Sequence, residues 1–141
     1  MKKNCGVWIS ILSHKLKKRM NAKMQSLGIT GVQSHIMHFI IVNAAERQVF
    51  QRDVESAFCL SRSTATGILQ SMEKNGLILR ESVPIDARLK NLIPTEKAVS
   101  LDAQIGEYIR DVEQCITHGL TDAQLSMFFE TAALMSDNLD A

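Results

Sequence analysis

Asp86 and Arg88 stand one residue apart in the link Arg80-Glu-Ser-Val-Pro-Ile-Asp-Ala-Arg-Leu-Lys-Asn91, between the apolar run Gly76-Leu-Ile-Leu79 and the shorter run Leu92-Ile93. A neighbouring carboxylate can hold a planar guanidinium fork in place. Arg80 and Lys90 add two further cations to the link. A second cluster, Ser61-Arg-Ser-Thr-Ala-Thr-Gly67 followed by Gln70 and Lys74, offers hydroxyl, amide and cationic groups. Ser61, Ser63, Thr64 and Thr66 can bond base edges or phosphates, Gln70 can pair bidentately with adenine, and Arg62 can reach a guanine or a phosphate. Gly67 permits close approach.

Other chemistries lack their residues. The chain has no Gly-rich phosphate loop, nucleophile elbow or metalloprotease helix, and its acids are scattered, so no enzyme activity is expected. Cys5, Cys59 and Cys115 are odd in number and have no metal-type spacing. Each is expected to be a small buried hydrophobe, with Cys5 the candidate thiolate because Lys2 and Lys3 lie close by. His35 and His38, at i and i+3, are a weak metal pair without a neighbouring Asp, Glu or Cys, and His14 and His118 add little. No metal or cofactor is expected. No apolar run approaches the roughly 18–20 residues that span a membrane. The basic opening lacks a cleavage site, so it is expected to belong to the folded protein, in the cytoplasm.

The elements that must position these groups follow from periodicity. Trp8, Ile11, Leu12, Leu16, Met20, Met24 and Leu27 recur at three- and four-residue steps, which predicts an amphipathic helix with Lys15, Lys17, Lys18, Arg19 and Lys23 on its polar face. Thr30 and Gln33 have capping-box spacing and open a second helix to about Asn43, whose Val32, Ile36, Met37, Phe39, Ile40, Ile41 and Val42 make it apolar on most sides and so expected at the centre of the core. Residues 49–60 form a short third helix with Val54, Ala57 and Phe58 inward. Ser61 caps the fourth, which stops at Gly76. On it Ala65, Ile68, Leu69 and Met72 share the face that must bury, while Ser63, Thr66, Gly67, Gln70 and Lys74 fall opposite. The runs Leu77-Ile-Leu79 and Leu92-Ile93 make a hairpin with a long turn, ended by Pro94. Thr95 begins a fifth helix, and Thr121 with Gln124 opens a sixth. Two helices joined by Cys59-Leu-Ser61 and followed by a hairpin have the order of a winged helix-turn-helix.

At 141 residues the chain fits one domain or one protomer. Its net charge of +1 hides an asymmetry: residues 1–95 carry 14 basic against 6 acidic residues, a net of +8, and residues 96–141 carry 2 against 9, a net of −7. Such a split suits a chain in which one region meets phosphates and another does not. The first, fifth and sixth helices also carry apolar stripes longer than one small winged domain can cover.

Ser61-Arg-Ser-Thr-Ala-Thr-Gly-Ile-Leu-Gln-Ser-Met-Glu-Lys-Asn-Gly-Leu-Ile-Leu-Arg80, with Pro84-Ile-Asp-Ala-Arg-Leu-Lys90 and Thr95-Glu-Lys97, resembles the winged helix-turn-helix of the MarR (multiple antibiotic resistance regulator) family. The aspartate and arginine separated by one residue are its most specific part. The chain departs from the family pattern at Pro94, where leucine is usual, and at Ala98, where glycine is usual. The resemblance implies a mainly α fold with a small β-wing: one protomer over 1–141, a winged helix-turn-helix over 30–95, and dimerisation helices over 1–29 and 96–141. It implies that residues 61–75 are the recognition helix, and that Arg88 enters the minor groove of double-stranded DNA, oriented by Asp86, while Arg80 and Lys90 serve phosphates. It further implies a homodimeric repressor released by a small, often aromatic or lipophilic, effector, with Trp8, Ile11, His35, Met37, His38 and Phe39 as pocket candidates. A redox- or metal-sensing regulator of the same fold, and a winged-helix module that binds protein instead of DNA, are the alternatives.

Overall fold

The computed structural model describes residues 4–141; Lys2 and Lys3, expected to act on Cys5, lie outside the described residues. The order is α1 (Cys5–Ser26), α2 (Gly31–Ala44), α3 (Gln51–Phe58), α4 (Arg62–Lys74), β1 (Ile78–Ser82), β2 (Lys90–Pro94), α5 (Glu96–Thr117) and α6 (Asp122–Asp140). The chain divides into two compact units between Ala103 and Gln104, within α5.

The first unit is built around α2, against which α1, α3 and β2 pack. Ile36, Met37 and Ile40 of α2 have no solvent exposure, and Val49, Val54, Ala65, Leu69, Met72, Leu77 and Ile78 are buried with them, as are Met24, Leu92 and Ala98. The helix starts where local chemistry places it: Thr30 Oγ1 accepts from Gln33 N–H at 3.1 Å, and Gln33 Oε1 accepts from Thr30 N–H at 3.2 Å. Gln33 is buried, and its amide donates to Ser71 Oγ at 3.2 Å, which fastens α2 to α4. His35, Val32 and Val42 face solvent, so α2 is central without being enclosed.

β1 and β2 pair antiparallel, with Leu79 opposite Ile93 and Ile78 opposite Pro94. Leu92 N–H turns away from β1 and donates to Val49 O at 2.7 Å, giving β2 a second backbone partner just before α3. Position 94 points the same way as Leu92, because alternate residues of a strand share an edge, so the missing N–H of Pro94 removes no rung from the hairpin. Ala98 is fully buried beyond it, and its N–H donates to Thr95 Oγ1, the cap of α5.

Three expectations require correction. Ala57 is exposed, because the buried line of α3 runs from Val54 to Phe58, whose ring meets Phe39 edge-on at 5.6 Å; Ala57 lies about 100° round the helix from Phe58. All three cysteines are exposed instead of buried. For Cys59 the cause is conformational: it ends α3 at φ 52°, ψ 45°, the left-handed region, which turns its side chain off the helix. Third, Val32 and Val42 are about half exposed where an apolar helix surface was expected to bury.

In the second unit, Thr121 and Gln124 cap α6 reciprocally at 3.1 and 2.9 Å. No residue of α6 is buried, and Met127, Phe128, Phe129 and Leu134 are all more than half exposed. Val7, Trp8, Ile9, Leu12 and Leu16 of α1 are likewise exposed.

Cys59 is the one described non-glycine residue at positive φ. Cys59→Gly should therefore raise the unfolding free energy by about 0.5–1 kcal/mol, and the β-branched Cys59→Val should lower it by about 1 kcal/mol or more. Urea unfolding of the two variants checks the order; the reverse order would rule out a left-handed residue in this turn.

Candidate nucleic-acid interface

The turn between α3 and α4 is tied from both sides. Leu60 N–H bonds to Glu55 O at 3.0 Å, closing the end of α3, and Ser61 Oγ accepts from Thr64 N–H at 3.3 Å, opening α4. Ser61 also donates to Thr64 Oγ1 at 2.9 Å, so the hydroxyls at the start of α4 are mutually oriented. Gln51, which the sequence reading passed over, donates to Thr66 Oγ1 at 2.9 Å and to Arg62 O at 3.3 Å. Thr66 in turn donates to Arg62 O at 2.8 Å. Its proton and one lone pair are thus used to align the two helices, and its hydroxyl is half-buried instead of open to a base edge.

Ala65, Leu69 and Met72 are fully buried, as the helical period requires, and Ile68 is half-buried. Arg62, Ser63, Thr64, Gly67, Gln70 and Lys74 are exposed. A Cβ on Gly67 would meet nothing within 4 Å, so this position leaves open space that a helix of larger residues would fill. The one acid of α4, Glu73, lies near Arg80 of the wing, 3.9 Å between Nε and Oε2. The exposed face ahead of it carries no carboxylate.

The recognition-type helix and the hairpin meet at a polar junction. Gly76 takes φ +75°, Leu77 N–H bonds back to Met72 O at 2.9 Å, and Thr95 N–H bonds to Leu77 O at 3.1 Å. Thr95 Oγ1 donates to Gly76 O at 2.6 Å and Lys97 Nζ to Asn75 O at 2.7 Å, so the carbonyls of the turn that ends α4 are met from the start of α5.

At the far end of the hairpin, Asp86 Oδ1 accepts from Arg88 N–H at 2.9 Å and from Arg88 Nε at 3.3 Å, while Oδ2 accepts from Nη2 at 3.4 Å. The carboxylate therefore fixes both the backbone turn and the guanidinium plane of a side chain that is 92% exposed. The Arg88 backbone N–H first, and its guanidinium second, hold the Asp86 carboxyl below its ordinary value of 3.8. A lowered pKa makes the anchor complete at neutral pH and lost only as pH falls through the folded value, in the acid range below 3.8. Lys90 Nζ donates across the strands to Ser82 Oγ at 2.6 Å.

The effector candidates are dispersed. Met37 is wholly buried, Trp8 is 44% exposed, Ile11 and Phe39 are half-buried, and His35 and His38 face solvent. His38 Nδ1 lies 3.1 Å from Asp102 Oδ1 on α5, a pairing across 64 residues of sequence. Two open grooves occur in this unit, one of about 670 Å³ bordered by Ile41, Arg47, Leu92 and Val99, the other of about 560 Å³ bordered by Met24, Ile29, Ser71 and Asn75; neither takes in a candidate. Among the described residues, no three His, Cys, Asp or Glu side chains converge as a metal site, and no helix is long and apolar enough to cross a membrane.

Arg80 is partly buried on the wing. Its side chain is 22% exposed, and its Nε and Nη2 are buried without a hydrogen-bond acceptor. Each such donor costs roughly 1–3 kcal/mol, and the long pairing with Glu73 offsets little of it. Arg80→Met, which keeps the length of the side chain, should leave stability unchanged or raise it by about 1 kcal/mol. A loss above about 2 kcal/mol in denaturant unfolding would mean that the guanidinium has full partners.

Comparison with known proteins agrees with this architecture. The model of the MarR family matches residues 27–89. The transcription regulator MarR from Oenococcus oeni PSU-1 is 30% identical, over 95% of this chain and 99% of its own, with a TM-score of 0.63. MepR, a transcription regulator of the Staphylococcus aureus multidrug efflux pump MepA, is 20% identical over 96% of this chain and 98% of its own, at a TM-score of 0.85. MepR is also similar in its complex with DNA, at a TM-score of 0.72, 20% identity and 96% coverage of both chains. A helix-turn-helix, an antiparallel wing with an Asp-x-Arg tip, and a 30% identical regulator aligned along nearly the whole length lead to one conclusion: the chain belongs to the MarR family of transcription regulators.

Proposed function

We propose that the protein is a repressor that binds double-stranded DNA as a homodimer and is released by a small lipophilic or aromatic effector. The observation that carries the DNA reading is the wing tip: an exposed guanidinium, held in plane by Asp86, beyond a helix whose open face ahead of Glu73 is cationic and free of acids. An arginine of this kind suits a narrow minor groove, where the negative potential is enhanced. In this reading residues 61–75 lie in the major groove, with Arg62, Ser63, Gln70 and Lys74 at bases and phosphates, and Ser61 and Thr64 at the backbone. Lys90 serves a phosphate; Thr66 and Arg80 position the helix and the wing. That the structural relative MepR is known in complex with DNA supports the DNA-binding reading.

The partner for the uncovered helices is a second copy. The apolar residues exposed on α1 and α6, together with Ile109 and Ile116 of α5, need cover, and basic α1 and the acidic 96–141 segment complement each other in charge. Residues 30–95 are then the DNA-binding part, and 1–29 and 96–141 the dimerisation helices. A two-fold pair presents its recognition helices about one DNA turn, roughly 34 Å, apart, and so reads a pseudo-palindromic operator in the cytoplasm. Trp8, Ile11, His35, His38 and Phe39 are the effector contacts, and Met37 joins them through repacking. An effector that prefers a dimer with wrongly spaced helices must lower DNA affinity.

Titration with duplex DNA from upstream of the protein's own gene tests the reading, since DNA binding must weaken steeply with salt whereas an apolar protein interface must not. Arg88→Ala should lower affinity about tenfold or more with the dimer intact, because the tip loses its cation and leaves Asp86 facing the groove. Unchanged affinity would remove the wing from the interface. Gly67→Ala should raise thermal stability by up to about 1 kcal/mol and weaken DNA binding several-fold, by filling the space left for close approach. If both stability and affinity rise, Gly67 does not face DNA.

A further inference from the structure

Five residues, 84–88, project beyond the last rung of the hairpin, where Val83 N–H bonds to Leu89 O and Val83 is buried. Among them Ile85 is 96% exposed, more than any other large apolar residue described; next is Leu139, at 85%, near the chain end. Its neighbours are fixed on both sides. Pro84 sets its own φ and restricts Val83, and the Asp86 carboxylate closes the following turn on Arg88 N–H at 2.9 Å. Leu89 N–H bonds to Asp86 O at 3.0 Å and completes that turn.

A single exposed isoleucine is ordinary on a protein surface. This one shares a short, tied tip with the anchored guanidinium of Arg88, and an aliphatic group can do nothing for a phosphate. The minor groove offers what it can use. The groove is narrow, about 6 Å, its walls are deoxyribose, and its floor shows acceptors alone at A·T pairs but an added amino donor at G·C pairs. An aliphatic group fits above an A·T floor and is obstructed by the guanine amino group. Arg88 supplies attraction to the acceptors, and Ile85 supplies exclusion of the donor.

We propose that Ile85 is a specificity-determining residue of the wing, packing on deoxyribose over A·T pairs next to Arg88 and rejecting the guanine N2 amino group. The assignment rests on the DNA-binding reading above. Its test uses the full-length protein and a duplex that the wild type selects from a random-sequence pool. The wing-facing base pairs are those whose footprint is lost in Arg88→Ala.

Changing two of those pairs from A·T to G·C should cost the wild type about tenfold in affinity. Inosine·C pairs, which lack the amino group, should restore affinity to within about twofold. In Ile85→Ser, with Arg88 in place, the G·C penalty should shrink to about twofold and the salt dependence should stay unchanged, since no charge is removed. Ile85→Val should retain most of the penalty. Because the residue is exposed, the Ser variant should keep the wild-type circular dichroism spectrum. A tenfold G·C penalty that persists in Ile85→Ser overturns the proposal and leaves Arg88 as sole reader, with DNA binding intact. If no duplex emerges from the selection, the DNA-binding reading itself fails and takes the proposal with it.

Discussion

The outward-facing parts of the molecule depend on how α4 ends. A helix leaves its last carbonyls without partners; here Ser71, Met72 and Glu73 are met by the N–H groups of Asn75, Leu77 and Gly76, and the carbonyls of the turn that follows, Asn75 and Gly76, by groups brought from about twenty residues further along. Gly76 turns left-handed, Leu77 returns a bond to Met72, and Thr95 and Lys97 meet Gly76 and Asn75. Thr95 serves twice: its hydroxyl donates to the end of α4 and accepts from Ala98 N–H at the start of α5. One short region therefore sets the direction in which α4, the wing and α5 leave it. A change in that region would move the helix face and the wing tip relative to each other, without touching either.

The polar groups of α4 divide between holding and offering. Thr66 and the carbonyl of Arg62 are engaged by Gln51, and Ser71 by Gln33, so two amides from other helices fix the rotation of α4 about its axis. Gln70, Lys74, Ser63 and the Arg62 side chain remain exposed. A helix held by buried-side amides can present flexible side chains outward without losing its own alignment, because the two tasks fall on different residues.

What could be read in advance was local. Both capping boxes, the stop at Gly76 and the inward set Ala65, Leu69 and Met72 follow from spacings of three to seven residues, and the hairpin lies within a single short stretch. The Asp86–Arg88 contact belongs to the same class, at a separation of two. What escaped were relations over long separations or in rare backbone states. The Val49 rung on β2, the Gln51 bond to Thr66 and the His38–Asp102 pair each need the tertiary fold to exist first. The partial burial of Arg80 is hidden for the same reason. Its side of the strand is decided by where β1 begins, and a hairpin of this length does not reveal that from composition. Cys59 departs because nothing in its type announces a left-handed residue; asparagine or glycine would have.

The tie between Asp86 and Arg88 has an electrical consequence. An ionised carboxylate and a guanidinium three ångströms apart cancel at a distance, so the tip of the wing adds almost nothing to the long-range field of the protein. Attraction across solvent must come instead from exposed cations elsewhere, such as Arg62 and Lys74 of α4. In the proposed complex the wing therefore contributes little to the rate of encounter with DNA and acts mainly on how long the encounter lasts.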